Sequence, residues 1–68
     1  MTLTAILTPS DGGGYVAHNP ETGSTTQGES VEEAIANLKE ATELYLEEFP
    51  MDRTANSLLT TFEVGSDA

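Results

Sequence analysis

Apolar residues along this chain change their period twice. From Thr2 to Thr8 the side chains alternate, with Leu3, Ala5 and Leu7 on one face and Thr4, Ile6 and Thr8 on the other. A period of two predicts a strand. Pro9-Ser10-Asp11-Gly12-Gly13-Gly14 interrupts it with turn chemistry, in which glycine supplies positive φ. Tyr15 to His18 is extended again, so the first two strands are expected to form a hairpin. Asn19-Pro20-Glu21-Thr22-Gly23 breaks the pattern, and Ser24 to Gln27 predicts a short, Thr-rich third strand.

The period then becomes helical. Ser30 can cap a helix while Glu33, three residues on, reaches back to the Ser30 amide, a capping box that fixes where the helix begins. At about 100° per residue, Val31, Ile35, Leu38, Thr42, Tyr45, Leu46 and Phe49 fall on one face, with Ala34 and Ala41 at its edge. Glu32, Glu33, Glu40, Glu43 and Glu47 fall on the opposite face. Pro50 ends the helix near Phe49, because the residue before a proline is pushed out of the helical region. Met51 to Asn56 reads as a polar connection. Ser57 to Val64 alternates once more and predicts a fourth strand, with Leu58, Thr60, Phe62 and Val64 on one side. Gly65 to Ala68 is a tail. The order βββαβ predicts an α+β domain spanning residues 1–68, an antiparallel sheet packed by one long helix.

At 68 residues a chain buries only roughly 60% of its unfolded surface. It has no cysteine, so neither a disulfide nor a thiolate metal site can compensate. Association into a homodimer or a higher oligomer is therefore a physical expectation. The formal net charge is −10, with Lys39 and Arg53 the two basic residues. Binding a phosphate backbone needs several Lys or Arg, so no direct nucleic-acid partner is expected, and an anionic membrane is disfavoured on the same ground. No basic n-region and no long apolar run is present, so neither a signal peptide nor a membrane span is expected. The reading is a cytoplasmic protein whose electrostatic complement is basic.

Candidate catalytic chemistry is thin. A phosphate cradle needs a helix directly after its glycines, and a strand follows Gly12-Gly13-Gly14, so these glycines read as a hairpin turn. His18 is the single histidine, and its neighbours Ala17 and Asn19 offer no ligand cluster. It reads as a solvent-facing strand residue. Hydrolytic sites gather acids from strands and loops into a cleft. Here the acids concentrate between Glu29 and Glu48 on the outer helix face, and the first strand carries none. No catalytic residue, metal site or cofactor is expected, and the chain is not read as an enzyme. The acidic stripe reads as solubility plus attraction for a basic partner. Leu44 stands apart, about 140° from the centre of the apolar face, where it is either an ordinary exposed leucine or an interface anchor.

The order of these pieces resembles the HicB family of antitoxins. The likeness is carried by the hairpin glycines before Tyr15-Val16-Ala17, by Asn19-Pro20 with Gly23, by Thr26-Gln27-Gly28-Glu29-Ser30, and by the run Val31-Glu32-Glu33-Ala34-Ile35-Ala36-Asn37-Leu38-Lys39-Glu40-Ala41 with Leu44-Tyr45-Leu46-Glu47-Glu48. It spans about Thr2 to Pro50, and the βββαβ order extends it to Val64. The resemblance implies a partial ribonuclease-H-like fold. It also implies a partner, a HicA-like toxin: a small basic mRNA-cleaving ribonuclease with a catalytic histidine, neutralised when its active site is covered. Many HicB proteins also carry a C-terminal DNA-binding domain. This chain departs there, because nothing after Val64 is long enough for one, and direct operator binding is not expected. The loop after the second strand also departs, carrying Glu21, Thr22 and Ser24 in place of the usual apolar and cysteine residues, so partner choice there is expected to differ. On this reading the partner-binding residues are Asn19, Glu21 and Ser24 in the loop, and Glu40, Glu43, Leu44 and Glu47 on the helix. An interaction module of the same fold without a toxin is the alternative. A degenerate nuclease is disfavoured by the acid-free first strand.

Overall fold

Two reversals fold the N-terminal half into a meander. A computed structural model of the protein describes residues 2–50 and 58–65. Strands β1 (Ile6–Pro9), β2 (Tyr15–His18) and β3 (Thr25–Gly28) precede one helix, α1 (Val31–Glu48). The strands make a single antiparallel sheet in the order β1-β2-β3, and α1 packs on one face of it, an α+β arrangement. The β1–β2 reversal is the expected glycine turn. Gly13 and Gly14 have φ of 99° and 81°, a region open chiefly to glycine. The Gly13 amide donates to the Ser10 carbonyl (3.1 Å) and the Ser10 amide to the Gly14 carbonyl (3.0 Å).

Register decides which side chains meet the helix. Leu7 lies opposite Ala17 and Ala17 opposite Thr26, so all three share the face beneath α1. The core is small. It consists of buried Ala17, Ala34 and Leu38, with Ala5, Leu7 and Tyr15 packed around them. Close approach substitutes for bulk. A Cβ on Gly28 would sit 2.5 Å from the Ala34 nitrogen, so only glycine lets α1 lie this near β3. Two hydrogen bonds fix that contact, Thr26 Oγ1 to the Ala34 carbonyl (3.1 Å) and Asn37 Nδ2 to the Gln27 carbonyl (2.8 Å).

The helix begins where the capping pattern puts it. Ser30 is extended (φ −134°, ψ 166°), and its Oγ accepts from the Glu33 amide at 3.1 Å. The returning half of the box is displaced by one residue. The Glu33 carboxylate accepts from the Glu29 amide at 2.6 Å, not from Ser30, because successive amides of extended backbone point to opposite sides. At the other end the Phe49 amide closes the last turn on the Tyr45 carbonyl (2.8 Å), directly before Pro50.

Three expectations need correction. The first strand starts at Ile6 and not Thr2. His18, the last residue of β2, pairs with Ile6, and the chain then turns at Asn19-Pro20, leaving Thr2 to Ala5 without a ladder partner. The buried stripe of α1 is Ala34, Leu38 and Thr42, while Ile35, Tyr45 and Phe49 are exposed. A helix of 18 residues is roughly 27 Å long, whereas four-residue strands reach about 13 Å, so the second half of α1 has no sheet beneath it. Finally, residues 58–65 form no strand, and among the described residues the sheet has three strands. Leu58, Phe62 and Val64 are instead solvent-exposed. The polar connection Met51 to Asn56, Ser57 and residues 66–68 lie outside the described residues.

Candidate partner-binding site

The overhang of α1 sets the character of its exposed surface. Glu40, Glu43 and Glu47 are all exposed, and Leu44 among them is 58% exposed. Around the helix at about 100° per residue, Glu40, Glu47 and Leu44 form one strip, with Glu43 beside it. Tyr45 and Phe49 add an aromatic pair, ring centroids 5.1 Å apart and tilted by 39°. The last turn contains no basic residue. It contains Glu47 and Glu48, next to carbonyls that carry the negative end of the helix dipole, an arrangement that costs stability. The negative potential of this end is therefore reinforced by its own backbone.

The Asn19–Ser24 loop is built around one side chain. Asn19 is completely buried. Its Nδ2 donates to the Thr4 carbonyl (2.7 Å) and to Glu21 Oε1 (2.6 Å). Its Oδ1 accepts from the Thr22 amide (2.8 Å) and the Thr22 hydroxyl (2.6 Å). Its own amide donates to the Ser24 carbonyl (2.8 Å). With donors and acceptor all engaged, Asn19 is the architect of the loop, and its buried side chain is not itself a contact surface. Glu21 is half-buried and serves the same frame, accepting from the Thr4 amide (2.9 Å) and the Thr4 hydroxyl (2.8 Å). Ser24 is half-buried at the entry to β3; its amide donates to Thr22 Oγ1 (3.2 Å), and its Oγ lies 2.9 Å from the same atom.

A cleft of about 300 Å³ lies between this frame and α1, and both Asn19 and Glu43 border it. Its walls are largely apolar, including Leu3, Ala5, Ile35 and Leu46, with Lys39 at the rim. The fold thus brings Glu43 to the loop, while Leu44 does not border the cleft. Exposed Ile35, Tyr45 and Phe49 were hidden from sequence reasoning by their place on the apolar face. For Tyr45 and Phe49 the signal that could have found them is the mismatch between one long helix and three very short strands, whereas Ile35, in the first half of α1, is exposed because it borders the cleft.

Other chemistry stays where its residue types put it. His18 lies on the sheet face away from α1, its Nδ1 2.9 Å from Thr25 Oγ1. Among the described residues no group of His, Asp or Glu side chains converges as a metal site would, and no helix is long and apolar enough to cross a membrane. A second cleft, at the glycine turn, is bordered by Glu29 and Glu33, and these carboxylates oppose an anion there. The purified chain is expected to cleave no RNA or DNA, with or without Mg²⁺. Metal-dependent cleavage that survives purification and is lost on changing one carboxylate would refute this.

No protein-family model matches this chain, and no solved structure matches it. A UPF0150 protein of Helicobacter pylori (strain J99 / ATCC 700824) is 39% identical over 70 residues, an alignment covering 94% of this chain and 96% of that relative.

Proposed function

We propose, from the premise that the chain belongs to the UPF0150 family, that it is an antitoxin of a type II pair. It neutralises a small, basic, HicA-like mRNA-cleaving ribonuclease by binding it and covering its active site. The proposal joins the HicB resemblance of Gln27 to Ala41 to one observation, the overhanging acidic half of α1. A helix end that carries Glu40, Glu43 and Glu47 around exposed Leu44 offers both elements of a complex with a cationic protein. The charges steer the encounter, and desolvated apolar side chains hold it. Acids in the last helical turn weaken the fold, which fits a surface shaped for a partner. Since the ribonuclease would act on mRNA, the antitoxin would work in the cytoplasm. The charge of −10 leaves direct nucleic-acid binding to neither the sheet nor the helix.

The test is co-expression with the short basic chain encoded beside this one, identified by a histidine near a Gly-Ser pair. Growth should be arrested by that chain alone and restored by the pair, and the two should co-purify with ribonuclease activity suppressed. If no such chain binds, the fold is an interaction module without a toxin.

A further inference from the structure

We infer that residues Leu58–Val64 of one copy dock along the free edge of β1 in a second copy, as an exchanged fourth strand whose Leu58 and Phe62 close the cleft beside α1. The inference is independent of the antitoxin reading. Among the described residues β1 is paired on one side only, with β2, so a row of backbone donors and acceptors is open on its other side. Next to that edge lies the apolar cleft, its walls formed in part by Leu3 and Ala5, which lead into β1, and by Ile35 and Leu46 on α1. An added strand would cover both the edge and the cleft.

The segment that fits is in the same chain. Leu58, Thr60, Phe62 and Val64 share one face at strand period, with Leu59, Thr61 and Glu63 on the other. Leu58 is 89% and Phe62 84% exposed, so the segment leaves unused the apolar surface that a fourth strand would bury. It does not fold back on its own body. The radius of gyration is 14.2 Å with a longest extent of 46 Å, whereas a compact chain of this length has a radius of about 11 Å. A projecting, strand-patterned arm and a vacant strand position on an identical body are the two halves of an exchange.

Charge singles out the same pair of surfaces. Two bodies of net charge −10 repel, and the acidic face of α1 cannot approach its copy. Leu58–Val64 carries one charge, Glu63, and the cleft it would enter is bordered by one base, Lys39, and one acid, Glu43, which offset each other. The arm and the β1 edge are the low-charge route by which two copies can meet.

The experiment combines sedimentation with crosslinking on the full chain. Sedimentation at micromolar concentration should show a dimer. Leu58→Asp with Phe62→Asp should raise its dissociation constant by at least about a hundredfold, since two large apolar side chains of each copy lose their burial. The helical far-UV circular dichroism signal of that variant should be retained, because both side chains are exposed in the monomer. The chain has no cysteine, so single thiols can be placed at will. A Thr8→Cys chain mixed with a Thr61→Cys chain should yield a crosslinked heterodimer with a short bis-maleimide, mapped to residues 8 and 61. A monomer at all concentrations overturns the inference, and so does a dimer indifferent to the aspartates. A crosslink that forms only when both thiols are on one chain also overturns it, since the arm then folds back on its own edge.

Discussion

Leu38→Ala is expected to lower the unfolding free energy by about 2–5 kcal/mol, the range for opening a cavity at a buried leucine. The effect should be at the severe end of what this fold tolerates. Leu38 is the largest of the three buried apolar side chains, and it packs at the middle of α1 over a sheet whose own contribution beneath it is Ala17. A small domain has few other groups that can close over the gap. At about 0.05–0.15 kcal/mol per residue of total stability, the variant approaches the unfolding threshold. Ser30→Ala provides the contrast, with an expected loss of about 1 kcal/mol through the helix cap. The Glu33 carboxylate bonds the Glu29 amide, so one end of the cap survives the serine's removal. Chemical denaturation of both variants checks the ranking. A Ser30→Ala variant less stable than Leu38→Ala would mean that α1 packs on the sheet through a different face.

The limits of helix α1 were legible because they depend on neighbours in sequence. Ser30, Glu33 and Pro50 each act over one to four residues, and the helix runs between them. The hairpin was legible for the same reason, since glycines with φ of 99° and 81° announce a turn whatever surrounds it. What sequence could not fix was how much sheet lies beneath each side chain. Ile35 and Leu38 look equivalent by period, yet one is 42% and the other 5% exposed. The difference comes from the absence, among the described residues, of a strand outside β1, which leaves Ile35 beside an open cleft, a tertiary fact. Alternation at Leu58 to Val64 shows that a segment suits a strand, but a strand exists only where an edge accepts it. Asn19 illustrates the same limit within the candidate site. Its type and its place before a proline fit an exposed loop as well as a buried bracket, and only the atoms of Thr4, Glu21 and Thr22 around it decide for the bracket.

Changing Glu40, Glu43 and Glu47 together to Gln is expected to slow association with the proposed basic ribonuclease by about threefold to tenfold at low salt, a fraction of the roughly 10–10³-fold that full electrostatic steering supplies. The three carboxylates are exposed along the overhang of α1, and they are three of the chain's twelve acids. Their field reaches an approaching partner across solvent, where screening acts over about 8–10 Å near physiological salt. The wild-type association rate should therefore fall as salt rises, and that dependence should flatten in the variant. Dissociation should change little, because it is governed by apolar contacts buried in the complex. Leu44→Ala should do the reverse, speeding dissociation and leaving the salt dependence of association intact. The fold gives no reason for the triple variant to be less stable. Its side chains are outside the core, and removing Glu47 relieves a charge placed against the negative end of the helix dipole. Stopped-flow mixing across a salt series measures both rates. An association rate and salt slope unchanged by the three substitutions would remove the acidic helix face from the mechanism and leave recognition to the Asn19–Ser24 loop and its cleft.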